Sequence, residues 1–297
     1  MGGIHVLENA VVGFIGTGVM GKSMAGHLLS AGYPVHVYTR TKAKAQDLLE
    51  RGARWAETPG EIAEKANIII TIVGFPSDVE EIYLGQDGLV ANGKENTYLI
   101  DMTTSTPSLA QKIHAEAKKK GMHALDAPVS GGDIGARDAR LAIMVGGDEE
   151  DFKRIEPLLQ LLGTNIILQG PAGAGQHTKM CNQIAIASNM MGVIESVVYA
   201  EKAGLDPENV LKTIATGAAG SWSLSNLAPR VIQGNFEPGF MIKHFIKDMN
   251  IALEEAAKMN LDLPGLALAQ SLYRKLEEDG LGDKGTQALY KYFMKSL

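Results

Sequence analysis

The 297-residue chain is 45% hydrophobic and 21% charged, enough apolar material for a sizeable core and, by its length, for two domains. With 28 basic against 34 acidic side chains the formal charge is −6, so there is no extended basic field for nucleic acid or an anionic membrane surface. The single cysteine, Cys181, excludes an intrachain disulfide framework, argues against a cysteine-built zinc cage and fits a reducing, cytoplasmic setting.

Residues 1–10 lack the basic start, apolar core and cleavage site of a secretory signal, and Met1–Asn9 is expected to be a short extension. The apolar run Ala10–Ile15 reads as a buried strand, Gly16-Thr17-Gly18-Val19-Met20-Gly21 as a tight turn, and Lys22–Leu29 as the helix after it. Glycines allow close backbone approach, and the start of a helix aims unpaired N–H groups at an anion. Strand, turn and helix together therefore suit a dinucleotide pyrophosphate. A second strand, Pro34–Tyr38, leads into Thr39-Arg40-Thr41, followed by Lys42 and Lys44. An acid at that place would hold the ribose 2′-hydroxyl of NAD. A guanidinium with flanking hydroxyls suits a 2′-phosphate, so NADP(H) is expected ahead of NAD(H). The same residues also read as a solvated basic start to the next helix.

Strand-like and helix-like segments alternate up to about residue 170, with further strands expected at Ile68–Val73, Thr97–Asp101, His123–Asp126, Leu141–Val145 and Asn165–Leu168. Thr58-Pro59-Gly60-Glu61 and Ser77-Asp78-Val79-Glu80 fit capping boxes, and Thr106-Pro107 and Asp148 offer capping residues. After Gly170 the strand signal ends. Met180, Ile184, Ala187, Met191, Ile194 and Val198 recur at helical spacing, and apolar residues fill much of the remaining circumference, as in a central helix. Polar residues at 188, 189, 195 and 196 interrupt Gln183–Ala203, which reads as a buried helix and not a membrane span. Gly204 is expected to end it and Asp206-Pro207 to start the next, with more helices at Ser223–Gln233, His244–Met259, Leu266–Asp279 and Thr286–Lys295. The expected fold is α/β: a Rossmann-type, mostly parallel sheet domain over residues 10–172, then an all-helical domain over 173–297 for substrate and oligomer contacts, with a hinge near Gly170–Gly175. The apolar long helix suggests a homodimer or homotetramer.

Three segments can carry chemistry. Asp126-Ala127-Pro128-Val129-Ser130-Gly131-Gly132 follows a strand, at the sheet edge where open α/β folds bind ligands; Ser130 and the glycine N–H groups make a carboxylate nest or, equally, a Gly-rich turn. In Gly173–Gln183, Lys179 shares a helical face with Asn182 and Gln183, and apolar neighbours would desolvate it and lower its pKa into a range useful for proton transfer; the other reading is a surface lysine. His177 stands without a second ligand at metal spacing, and Cys181 reads as core, so no metal is expected. In Phe240–Asp248, Lys243 and Lys247 share a face, and Lys247 either reaches an anion, with Asp248 holding a neighbouring group, or belongs to a solvated helix start.

In this order these segments resemble the β-hydroxyacid dehydrogenase family, which includes 3-hydroxyisobutyrate dehydrogenase, tartronate semialdehyde reductase and glyoxylate/succinic semialdehyde reductase. Gly13–Gly21 is similar to its cofactor signature, Asp101–Thr104 to its nicotinamide-side strand end, Asp126–Gly132 to its substrate loop, Gly173–Asn182 to its catalytic segment and Lys247-Asp248 to its site-closing pair. The resemblance spans essentially the whole chain. It implies hydride transfer between NADP(H) and a small 3-hydroxy acid or its semialdehyde, with Lys179 as general acid/base and Asn182 orienting substrate or lysine. It further implies that Ser130, Gly131 and Gly132 grip the carboxylate, that Thr104 and Lys247 contact the cofactor, and that Phe240 and Asp248 line or support the site. Some relatives carry their amide four residues after the lysine, where this chain has Gln183. A decarboxylating 6-phosphogluconate-type enzyme would want an acid where Ile186 stands, and an imine reductase usually replaces the lysine. A non-catalytic NADP(H) sensor or scaffold would need the glycine turn alone.

Overall fold

The computed structural model describes residues 9–294; the expected extension at residues 1–8 and the helix end at Lys295 lie outside the described residues. The chain divides into two compact units, one ending at Lys179 and the other beginning at Met180.

In the first unit, among the described residues, nine strands form one sheet. They are β1 (Val12–Ile15), β2 (Val35–Tyr38), β3 (Arg54–Trp55), β4 (Ile68–Thr71), β5 (Tyr98–Asp101), β6 (His123–Asp126), β7 (Val129–Ser130), β8 (Leu141–Gly146) and β9 (Gly163–Gly170). The order β3-β2-β1-β4-β5-β6 is parallel throughout, whereas β8 runs antiparallel to β6 and β7 and parallel to β9. The chain leaves β1 in one direction and returns to its other side at β4, so the switch in strand order falls beside the glycine turn, where open α/β sheets bind ligands. Alternating side chains supply two cores: Phe14, Ile68 and Ile70 belong to one apolar cluster, Ile15, Ile69 and Leu99 to another. Burial on both faces is why these strands read as continuous apolar runs.

The connections are α1 (Gly21–Ser30), α2 (Gln46–Glu50), α3 (Pro59–Lys65), α4 (Pro76–Leu84), α5 (Leu89–Asn92), α6 (Pro107–Lys119), α7 (Gly132–Arg137) and α8 (Glu149–Leu159). Thr58 and Thr106 cap α3 and α6 as expected, accepting from the N–H groups of Glu61 at 3.1 Å and Leu109 at 3.2 Å. One expected cap is displaced, and another, Asp148, holds the N-cap position of α8 without its side-chain bond. Helix α4 starts at Pro76, and the Asp78 carboxylate accepts from the Phe75 N–H at 3.2 Å, which leaves Ser77 inside the first turn. Asp148 makes no cap bond to α8 because its carboxylate turns to Lys118, 3.3 Å away. The two-residue strands β3 and β7 are too short to leave a periodic signal.

Helix α9 (Ala174–Lys202) begins in the first unit and continues into the second, where α10 (Pro207–Ile214), α11 (Trp222–Asn226), α12 (Ala228–Ile232), α13 (Ile242–Lys258), α14 (Pro264–Glu278) and α15 (Tyr290–Met294) follow. Gly204, at φ +71°, stops α9, with the Leu205 N–H returning to the Ala200 carbonyl at 2.9 Å. The single helix expected over Ser223–Gln233 is two, α11 and α12, broken at Leu227 just ahead of Pro229, which has no N–H to give. Thr286–Leu289 is a 3₁₀ turn leading into α15. The core gathers Met190, Ile194, Phe245, Tyr273 and Leu276. No helix among the described residues is long and apolar enough to cross a membrane.

Candidate active site

Strand register places the chemistry on one edge of the first unit. Tyr38, Ile15, Thr71, Asp101 and Asp126 are paired across β2, β1, β4, β5 and β6, so the segments that follow them leave the sheet side by side. These are Thr39–Thr41, the glycine turn, Met102–Thr104 and Ala127–Gly132.

The turn has the shape a dinucleotide requires. Gly16 sits at φ +98°, and a Cβ there would collide with the Ile72 carbonyl; one on Gly21 would collide with the Gly16 carbonyl. Around Gly18 nothing lies within 4 Å of the Cβ position, which leaves exposed backbone open to a ligand at the start of α1. The Thr17 hydroxyl is buried and finds no partner among the described residues, while Val19 is exposed and Met20 half-buried. A turn of this kind fits a nicotinamide dinucleotide, whose pyrophosphate would meet Gly16–Gly21. Thr39 is half-buried and Thr41 exposed; the Arg40 guanidinium is 81% exposed, with Nη1 3.5 Å from Asp78 Oδ1. Lys42 lies over the Trp55 ring at 5.2 Å.

Two buried carboxylates sit behind this edge. Asp101 Oδ1 accepts from the Thr71 hydroxyl at 2.8 Å and from the Thr103 N–H at 3.0 Å. Burial outweighs those bonds and pushes its pKa up to about 6, with the nearby Asp126 charge acting in the same direction. Asp126 accepts from the N–H groups of Gly173 at 2.8 Å and Gln176 at 2.9 Å, the start of α9, and burial raises its pKa against that support. Gln176, fully buried, fastens α9 to the end of β5: its Oε1 accepts from the Ser105 N–H at 2.9 Å and its Nε2 donates to the Thr103 carbonyl at 2.7 Å. Neither role is written in the local sequence, because every partner is a backbone group far along the chain.

That clamp carries Lys179. The side chain is buried at 7% exposure, and Nζ donates to the Val129 carbonyl at 2.8 Å, beside half-buried Ser130, Gly131 and Gly132. Gly131 and Gly132 take φ of +129° and +61°, a backbone that side-chain-bearing residues avoid. A primary amine is thus held against a serine–glycine loop, and half-buried Thr104 leaves the same sheet edge. His177 is exposed, and so is Cys181, contrary to the expectation that it belongs to the core.

The second unit assembles its own polar series. Asn182 Nδ2 donates to Gln183 Oε1 at 2.8 Å, Gln183 Nε2 donates to Asp248 Oδ2 at 2.7 Å, and Lys247 Nζ lies 2.9 Å from Asp248 Oδ1. Gln183 and Asp248 are buried, whereas Asn182 is half-buried. Phe240, also half-buried, lies 5.5 Å from the Phe245 ring, and Lys243 pairs with Asp283 at 2.6 Å.

Residues 11–170 match the model of the NAD binding domain of 6-phosphogluconate dehydrogenase, and residues 173–293 that of the NAD-binding domain of NADP-dependent 3-hydroxyisobutyrate dehydrogenase. The chain is 63% identical to an uncharacterized oxidoreductase of Bacillus subtilis (strain 168), YkwC, over 96% of this chain and 99% of that one. It is 40% identical to the 2-hydroxy-3-oxopropionate reductase of Escherichia coli (strain K12), over 91% and 92%. Among solved structures, Mycobacterium tuberculosis 3-hydroxyisobutyrate dehydrogenase with L-serine superposes at a TM-score of 0.84, with 30% identity and coverage of 96% of this chain and 99% of that one.

Proposed function

The chain belongs to the β-hydroxyacid dehydrogenase family of NAD(P)-dependent hydroxyacid dehydrogenases and reductases, and from that premise we propose that it interconverts a small 3-hydroxy acid and its semialdehyde with NADP(H). The observation that carries this reading is the buried Lys179 amine, 2.8 Å from the carbonyl that precedes Ser130. A bound nicotinamide supplies or receives the hydride. In reduction Lys179, as ammonium, stabilises the developing alkoxide and donates its proton to it; in oxidation the neutral amine takes the proton from the substrate hydroxyl. The Ser130 hydroxyl and the N–H groups of Gly131 and Gly132 hold the carboxylate, which fixes the reacting carbon and makes orientation part of the rate. Asn182 orients the substrate, with Gln183 and Asp248 behind it, and Phe240 lines the site. Gly16–Gly21, Thr104 and Lys247 meet the cofactor.

Arg40, flanked by Thr39 and Thr41 and free of any acid within its own loop, supports NADP(H) over NAD(H). Apolar side chains exposed in the second unit, Tyr199, Leu205, Met259, Leu261 and Leu268, support a homodimer or homotetramer. The single cysteine supports a reducing, cytoplasmic setting.

Lys179→Ala tests the assignment. Turnover of semialdehydes should fall about 10²- to 10⁴-fold while NADPH binding, read by fluorescence titration, stays within a few-fold. Turnover near that of the wild type removes Lys179 from the chemistry.

A further inference from the structure

A second cleft in the first unit opens at the amino ends of β1, β2 and β5, the edge of the sheet opposite the glycine turn. It measures about 720 Å³, room for a metabolite and not only for a single ion. Its lining brings together three cations, Arg54 on β3, Lys65 at the end of α3 and Lys94 ahead of β5, against one carboxylate, Glu64, in a chain whose formal charge is −6. Glu61 pairs with Lys65. His36 is the buried member of the lining. It is 7% exposed and is paired in register with Arg54, so the two side chains leave the sheet on one face. Its Nδ1 is buried and has no hydrogen-bond partner among the described residues, whereas buried polar atoms are nearly always partnered.

Burial, with the Lys65 and Arg54 charges acting in the same direction and Glu61 against them, holds the His36 pKa below its ordinary value. The ring is therefore neutral at pH 7, with one N–H to place and cations for neighbours, and an anion satisfies both. We propose that this cleft is a second ligand site, for a phosphate monoester: the phosphate takes the His36 N–H among Arg54, Lys65 and Lys94, and the organic part packs on the apolar wall that Val11 and Trp55 provide. Three cations less one carboxylate leave a surplus of two, which matches a dianion, and the Arg54 guanidinium suits phosphate through paired N–H bonds. The site shares no residue with the proposed hydride-transfer machinery and does not depend on it.

Calorimetric titration of the full chain with phenyl phosphate, at saturating nicotinamide cofactor so that the glycine turn is already occupied, tests the site. The probe should bind at one equivalent per chain, and inorganic phosphate at least about 10-fold more weakly for want of the organic part. Arg54→Gln, an exposed position whose change leaves the core alone, should weaken phenyl phosphate at least about 10-fold, and His36→Phe, shown to be folded by its thermal melt, should do the same. In spectra of histidine-labelled protein, the His36 resonance, assigned by its absence from His36→Phe, should titrate at higher pH when the probe is bound, because a neighbouring anion favours the imidazolium. No binding, binding unchanged in Arg54→Gln, or a His36 titration that the probe does not move overturns the site. Inorganic phosphate binding as tightly as phenyl phosphate overturns the ester as its ligand. Each of these outcomes leaves hydride transfer standing.

Discussion

Asp101 makes stability fall as pH rises, the reverse of a salt-bridged carboxylate. Burial raises its pKa from 3.8 to about 6, so between those values the folded chain holds a proton that the unfolded chain has released. The folded state is then favoured at low pH, and the advantage is lost as pH climbs through the window. At about 1.4 kcal/mol per pH unit, the difference amounts to about 3 kcal/mol above pH 6. Asp101→Asn removes the titration and retains an oxygen for the Thr71 hydroxyl and the Thr103 N–H, the two bonds Oδ1 accepts now. Urea unfolding at half-unit steps from pH 4 to 8 is the assay. Trp55 fluorescence in a Trp222→Phe background reports the first unit alone, since each unit holds one tryptophan. The variant should gain on the parent by up to about 3 kcal/mol between pH 4 and 7, with a residual slope of the same sign from Asp126, whose pKa burial also raises. Parallel profiles, or a parent that gains on the variant as pH rises, would refute the reasoning.

Asp126→Ala leaves the Gly173 and Gln176 N–H groups without their carboxylate and should cost about 3 kcal/mol, with a fall in kcat because α9 and its lysine lose their anchor. Asp126→Asn, which keeps one acceptor, should cost less; equal thermal midpoints for the two variants would mean that the carboxylate does not hold the helix. Arg40→Ala should raise KM for NADPH at least about 10-fold and leave NADH within a few-fold, since only the phosphate interaction is removed. Equal losses for the two cofactors would reverse the NADP(H) assignment.

What the sequence made legible was chemistry between near neighbours. The glycine turn, the caps at Thr58, Thr106 and Asp206, and the stop at Gly204 each depend on residues within a few positions, so composition and spacing announced them. Ser77 misled because a capping box and a proline at the first helical position compete for the same start, and Pro76, with its fixed φ and no N–H to satisfy, won. Cys181 misled because α9 is apolar on most sides, and a single helix cannot announce which narrow stripe is left to solvent.

The deeper loss is of anything whose partner is a distant backbone. Gln176 bonds to groups 71 and 73 residues away, and Asp126 to groups 47 and 50 away. Main-chain N–H and C=O groups are the same at every position, so a side chain that serves them carries no complementary residue for a pattern to find. Lys179 was nameable from its neighbours, yet what makes it an acid or base candidate is that these two side chains fix the start of its helix to the ends of β5 and β6 while its amine reaches the Val129 carbonyl. Gln183 is the same case carried into the second unit: as a residue type it is only an amide beside an amide. Its placement between a carboxylate and Asn182 fixes which way both amides are turned.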